Sequence, residues 1–144
     1  MAWPTLTLLH LLPTAFMTGV IWFVQVVHYP LYAQVGERAF RGFEQAHCAR
    51  TTWVVLPPMC AELGLAGWVV AAAPAAASVL PWLGAALVAA IWLVTFTLQV
   101  PCHDRLQAGF DAAVHRRLVR SNWLRTVLWS LRLAVAVSLC LVPA

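Results

Sequence analysis

Long apolar runs alternate with shorter polar stretches four times along this chain. The runs fall near residues 5–27, 52–73, 80–100 and 123–142. Each matches the roughly 20 residues that a helix needs to cross a bilayer. The pattern predicts four membrane-spanning helices. The first reads as a retained span, because it lacks a basic leader and exceeds the apolar core of a signal peptide. Only a short turn at 74–79 separates runs two and three, so those spans are antiparallel neighbours. Residues 31–51 and 102–122 keep apolar residues at helical spacing, Phe40 with Phe43 and Leu106 with Phe110. They predict short helices that extend spans two and four past one membrane face. The expected fold is all-α: a single domain over 1–144, an integral membrane four-helix bundle with helical extensions.

Composition sharpens the class. Hydrophobic residues make up 62% of the 144 positions and charged residues 10%. A soluble domain carries about 25% charged residues, so a soluble globular protein and a disordered one are both excluded. Nucleic acid is excluded as the natural partner despite a net charge of +4. All nine basic residues are arginine. Arg38, Arg41 and Arg50 lie between spans one and two, and Arg105, Arg116, Arg117, Arg120 and Arg125 between spans three and four or where span four begins. Arg132 falls inside span four. The excess of positive charge then orients a multi-pass protein, expected in a bacterial inner membrane, with both Arg-rich loops cytoplasmic and both termini outside. Trp3 and Trp82 suit the outer interface, Trp53 and Trp123 the inner one. Cys48, Cys60, Cys102 and Cys140 are scattered, which argues against a disulfide framework.

The two halves echo each other. The first reads Gln25-Val-Val-His28, then Phe43-Glu44-x-x-His47, then Arg50-Thr-Thr-Trp53; the second reads Gln99-Val-Pro-Cys-His103, then Phe110-Asp111-x-x-x-His115, then Arg120-Ser-Asn-Trp123. This weak internal repeat implies a pseudo-twofold along the membrane normal, with each half supplying ligands to a shared site. At 100° per residue, positions 18 apart share a helical face. His10 and His28 are so related, as are Glu44 and Glu62. On span three Trp92, Phe96, Gln99 and His103 cluster, with Pro101 expected to threaten the helix before His103. On span four Asp111, His115, Asn122, Arg125, Trp129 and Arg132 form one stripe. Polar groups in lipid face the bundle interior, so the stripes should converge.

That convergence predicts His28, Glu44, His47, His103, Asp111 and His115 at the Arg-rich mouth, with Asp104 beside them. A Glu-x-x-His pair presents a carboxylate and an imidazole to one ion from one helix, as in di-iron bundles. Mixed nitrogen and oxygen donors suit iron first, and zinc, copper or manganese as well. One metal or two remains open: His28, Glu44 and His47 on one, His103, Asp111 and His115 on the other. The competing reading is a hydrogen-bonded polar cap that closes the bundle. Cys48 and Cys102 each adjoin an expected ligand and read as outer neighbours. Deeper, Glu62 lies 12 residues past Arg50 and Arg132 lies 12 past Arg120. Equal depth predicts a buried ion pair, since an unpaired charge at mid-membrane costs at least about 2.5–3.5 kcal/mol; the alternative is that Arg125, Arg132 and Glu62 line a substrate cavity or proton path. Pro57-Pro58 predicts a kink beside Glu62. His10 reads as structural.

The run Gln99-Val100-Pro101-Cys102-His103-Asp104-Arg105-Leu106 and the run Asn122-Trp123-Leu124-Arg125-Thr126 resemble the anthrone-oxygenase-like family of small four-span membrane proteins. Val100, Pro101, Leu106, Asn122, Arg125 and Thr126 carry the likeness, mainly in the second half. His103 stands where that family typically has asparagine, and His28 and the Glu44/His47 pair are additions. The resemblance implies a four-helix fold and oxidation of an aromatic or lipophilic substrate; the added histidines imply a metal-using branch. The expected function is thus a metal-dependent membrane oxidoreductase, with Asp104, Asn122 and Arg125 as proton-carrying or substrate-orienting residues. Membrane lipid and a lipophilic small molecule are the expected partners, and self-association is left open. Rival readings are a metal-binding or metal-transport protein and a b-type haem protein.

Overall fold

A computed structural model describes residues 1–143. Four long helices dominate: α1 (Trp3–Gln34), α2 (Glu37–Ala72), α3 (Leu80–Leu106) and α4 (Ala112–Cys140), each long and apolar enough to span a membrane. They pack in the ring order α1–α2–α3–α4, with α4 closing against α1. The extensions beyond the apolar runs belong to all four helices, not to α2 and α4 alone. The outer surface is apolar, with Leu12, Phe16, Phe23, Leu93 and Phe96 exposed, as lipid-facing side chains must be.

Two of the helices share an internal irregularity. Val24–His28 and Thr95–Gln99 are π turns. In each, the residue that precedes a proline reaches back five positions: Tyr29 N–H donates to the Val24 carbonyl, and Val100 N–H to the Thr95 carbonyl. Pro30 and Pro101 follow directly. A proline ring collides with the carbonyl four residues earlier, and a widened turn moves that carbonyl aside. Pro101 therefore does not end the helix before His103, which lies in the helical segment Val100–Leu106. The shared prolines also change the register of the repeat: aligned on them, His28 matches Gln99 and Tyr32 matches His103. Pro57 and Pro58 lie inside one helix, Glu37–Ala72, so the expected kink does not interrupt α2. Trp3 is buried against the bundle, and its indole N–H donates to the Val142 carbonyl at 3.2 Å.

The core has three layers. Tyr29, Tyr32, Phe40, Leu106 and Leu118 fill the Arg-rich end. Met17, Ile21, Met59, Ile91 and Trp129 fill the middle. Leu6, Val69, Val135 and Leu139 fill the far end.

The α3–α4 turn passes through Gly109 at φ +150°, a conformation that favours glycine. Asp111 then starts α4. Its carboxylate accepts from the backbone N–H groups of Ala113 at 2.7 Å and Val114 at 3.1 Å, as an N-cap does. Bonds from Val114 and then Ala113 hold this exposed carboxyl below its ordinary range. A lowered folded-state value means that the cap stabilises above the unfolded pKa and stops doing so as pH falls through the folded one. Asp111→Ala should therefore lower the melting temperature at neutral pH, by circular dichroism. The gap to the native protein should close in acid; a gap constant with pH would rule out this cap.

Candidate functional site

The Arg-rich end gathers side chains from three helices. Along α2, Glu44, His47, Cys48 and Thr51 stand at helical spacing on one face. Glu44 is 0% exposed. Its Oε1 receives His103 Nδ1 from α3 at 2.6 Å and Cys48 Sγ at 3.6 Å. Its Oε2 is buried without a well-formed hydrogen bond, and the buried Tyr32 hydroxyl, likewise unpaired, lies beside the Glu44 carboxylate. A carboxylate at Glu44 accepts from His103 Nδ1–H, which leaves Nε2 to accept from the Tyr29 hydroxyl at 2.9 Å. The tautomer is thus assigned by the network. Beside this chain, His28 Nε2 and His47 Nδ1 share a hydrogen bond of 2.9 Å, with the Thr51 hydroxyl 3.0 Å from the same Nδ1. The His47 and His103 rings lie 5.4 Å apart between centroids.

The structure brings Glu44, His103, His47 and His28 into one neighbourhood and leaves two expected ligands outside it. Asp111 is occupied as the α4 cap. His115 is buried, and its Nε2–H donates to the Tyr29 carbonyl at 2.8 Å. It fixes the backbone that carries the Tyr29 hydroxyl. A division into one ligand set per half does not form, because Glu44 of the first half meets His103 of the second. Among the described residues, the ligand atoms of Glu44, Cys48 and His103 lie within 4.8 Å of one another. Oxygen, sulfur and nitrogen donors at that separation fit a transition metal.

Sequence reasoning missed Tyr29 altogether and placed Cys48 among outer neighbours. Their signals were present: Tyr29 sits between His28 and Pro30, and Cys48 is one turn beyond Glu44. Cys102 is buried among Tyr29, Tyr32 and Leu106 in the core layer.

A cavity of about 550 Å³ leads from this cluster into the bundle. Tyr29, His47, Cys48 and His103 line its polar end, and Met17, Ile21, Met59 and Trp92 its apolar depth. Phe96 and Gln99 also line it, so the α3 face expected from helical spacing does converge on one space. Asp104 is exposed at its rim. Arg125 reaches the wall from α4. Its Nη1–H donates to Asn122 Oδ1 at 3.2 Å, and Asn122 Nδ2–H donates to Gln25 Oε1 at 2.9 Å. A second cavity, of about 830 Å³, shares His47 and Thr51 as lining and extends past Phe16 and Phe23.

No protein family, curated protein or solved structure matches this chain. The geometry of its own side chains therefore carries the functional argument.

Beyond the middle core layer lies a separate buried group. Arg132 Nε–H donates to Glu62 Oε1 at 2.6 Å, and the Thr14 hydroxyl donates to Oε2 at 2.8 Å. His10 Nε2 is 3.4 Å from Glu62 Oε2 and contacts the Arg132 guanidinium. His10 thus belongs to the ion pair. Gly84 makes room for it, since a Cβ there would overlap the Arg132 guanidinium.

Proposed function

We propose that this protein is a metal-dependent membrane oxidoreductase, an oxygenase acting on a lipophilic or aromatic substrate. Glu44, His103 and Cys48 would hold the metal, with His47 and His28 as the adjoining imidazoles and iron as the first expectation. One observation carries the reading: a fully buried carboxylate, with donor atoms of Cys48 and His103 within 4.8 Å, stands behind those two residues where they line the polar end of an apolar cavity of about 550 Å³. Pockets of roughly 300–1,000 Å³ with few polar groups suit small molecules. A bound transition metal would supply one-electron chemistry with dioxygen. The remaining work falls to the chain. Tyr29 lines the cavity, and its hydroxyl would pass a proton to or from His103 Nε2. Asp104 at the rim exchanges protons with water. Asn122 holds Arg125 toward the substrate. The apolar wall excludes water and admits a molecule from the bilayer. The resemblance to anthrone-oxygenase-like proteins supports oxidation as the reaction class. In this reading both Arg-rich loops face the cytoplasm of a bacterial cell.

A metal-transport role is less well supported. Met17, Ile21, Met59, Ile91 and Trp129 form an apolar layer between the metal-ligating side chains and the His10–Glu62–Arg132 group. A permeating ion needs polar groups along its route.

Elemental analysis of the purified protein, with an absorption spectrum, tests the proposal. Native protein should hold a transition metal, and His103→Ala and His47→Ala should lower its content. His115→Ala should keep the metal and lower the melting temperature. Native protein that neither carries nor takes up iron, zinc, copper or manganese would overturn the reading.

A further inference from the structure

Two arginines lie buried on α4, two turns apart, and they are not treated alike. Arg132 has Glu62 at 2.6 Å. Arg125 is 7% exposed, its neighbours are the neutral Asn122, bonded by Nη1, and the neutral Tyr29 hydroxyl, and its Nε is buried without a partner. The chain has five acidic side chains, and each is placed elsewhere. Glu62 serves Arg132, Glu44 serves His103 and Cys48, and Asp111 caps α4. Glu37 and Asp104 are exposed. Among the described residues no carboxylate lies within 4.0 Å of the Arg125 guanidinium. Arginine stays charged in proteins, and a buried charge without a partner is strongly disfavoured. A cation so placed on a cavity wall is matched by a ligand that brings the negative charge.

The guanidinium is also preorganised. The Gln25 amide N–H donates to the Val119 carbonyl at 3.3 Å, Asn122 is anchored to Gln25, and Arg125 Nη1 is anchored to Asn122. One Nη1–H is thereby engaged and Nε is enclosed, which leaves the outer N–H groups of the guanidinium, beside the Tyr29 hydroxyl, for an acceptor in the cavity that Arg125 lines. A guanidinium is matched by a carboxylate. The rest of the cavity is apolar at Met17, Ile21, Met59 and Trp92.

We infer that the cavity binds an amphiphile that ends in an oxyanion: a carboxylate at the Arg125 guanidinium, with the apolar body among Met17, Met59 and Trp92. The inference rests on the cavity being the substrate site, and it names the substrate class. It also sets a polarity. The charged end lies on the α4 wall, and the molecule is held from that end in the cavity that His47, Cys48 and His103 also line.

The test is equilibrium binding to the full protein in phosphatidylcholine nanodiscs. The probes are a sixteen-carbon fatty acid with a fluorophore at its methyl end and the methyl ester of the same molecule. The acid should bind at least about ten-fold more tightly than the ester. Arg125→Leu should remove that difference by weakening the acid and leaving the ester unchanged. Should Arg125→Leu not fold, the native protein still decides: dodecanoate should displace the probe and dodecylamine should not. Equal binding of acid and ester would overturn the inference, as would displacement of the acid by phosphatidylglycerol in the disc, which would mark a phospholipid headgroup site. Metal content is measured on the same samples. Protein that neither carries nor takes up a metal and still selects the acid through Arg125 keeps this inference and removes the metal reading. Metal-loaded protein that binds both probes alike does the reverse.

Discussion

Arg132→Leu is expected to destabilise the folded protein by about 3–5 kcal/mol, the range seen when one partner of a buried ion pair is removed. Glu62 and Arg132 are both nearly inaccessible. Without the guanidinium, the Glu62 carboxylate keeps the Thr14 hydroxyl at 2.8 Å and His10 at 3.4 Å. A hydroxyl does not neutralise it, so the site must protonate or charge His10. Leucine also leaves a void beside Gly84, where the guanidinium had been. Glu62→Leu alone should be damaging for the mirror reason, because Arg132 then faces the core with only His10. The double variant should be milder than either single, since two apolar side chains carry no desolvation penalty. Denaturant unfolding in mixed micelles, run as a double-mutant cycle, measures the coupling. Strict additivity of the two single losses would show that the pair is uncoupled.

The second large effect is expected at Glu44. Glu44→Gln keeps the side-chain volume and an oxygen that still accepts from His103 Nδ1–H, so folding should survive. What it loses is the carboxylate charge and the buried Oε2, because an amide nitrogen donates and does not ligate. Loss of an outer partner costs metal sites about 10–100-fold in affinity, and loss of a direct oxygen ligand should exceed that. Metal content after dialysis against a weak chelator reads the change, with circular dichroism as the control for folding. His115→Ala separates position from ligation. It removes a buried hydrogen bond to the Tyr29 carbonyl, worth about 1–3 kcal/mol when a group is left unpaired, and leaves the metal. Native affinity in Glu44→Gln would remove Glu44 from the ligand set.

Much of the architecture is legible in the chain because hydropathy and depth are one-dimensional quantities. Four apolar runs give four spans, and counting 12 residues inward from Arg50 and from Arg120 reaches Glu62 and Arg132, which do meet at 2.6 Å. The α3 face of Trp92, Phe96, Gln99 and His103 is also readable, since all four line one cavity. Cross-chain partners are harder. The motif order suggests that His103 joins Asp111 and His115, whereas packing gives it to Glu44. Nothing in a helical wheel says which neighbouring helix a side chain will meet. Asp111 shows a different failure. Placed immediately before a helical run it carries a strong start signal, but the same residue four positions before a histidine also looks like a ligand. The unmet backbone N–H groups of Ala113 and Val114 decide between them. The π turns are invisible to strict 3.6-residue arithmetic, although the prolines that call for them are plain.

The two arginines on α4 bear on how the protein is made. A guanidinium at the centre of an inserting helix costs about 2.5–3.5 kcal/mol on the translocon scale, and Arg125 and Arg132 share one helix. Its best window has the lowest mean hydropathy of the four spans, 1.4 against 2.0 for α3. Alone, this segment is a poor candidate for release into lipid. Its remedy is already in the bilayer, because Glu62 is synthesised 70 residues before Arg132 and Gln25 is synthesised 97 before Asn122. Helix α4 therefore enters as the last piece of an assembly rather than as an independent span. A chain without α1 or α2 would present α4 to the bilayer with neither Gln25 nor Glu62 to receive its polar side chains.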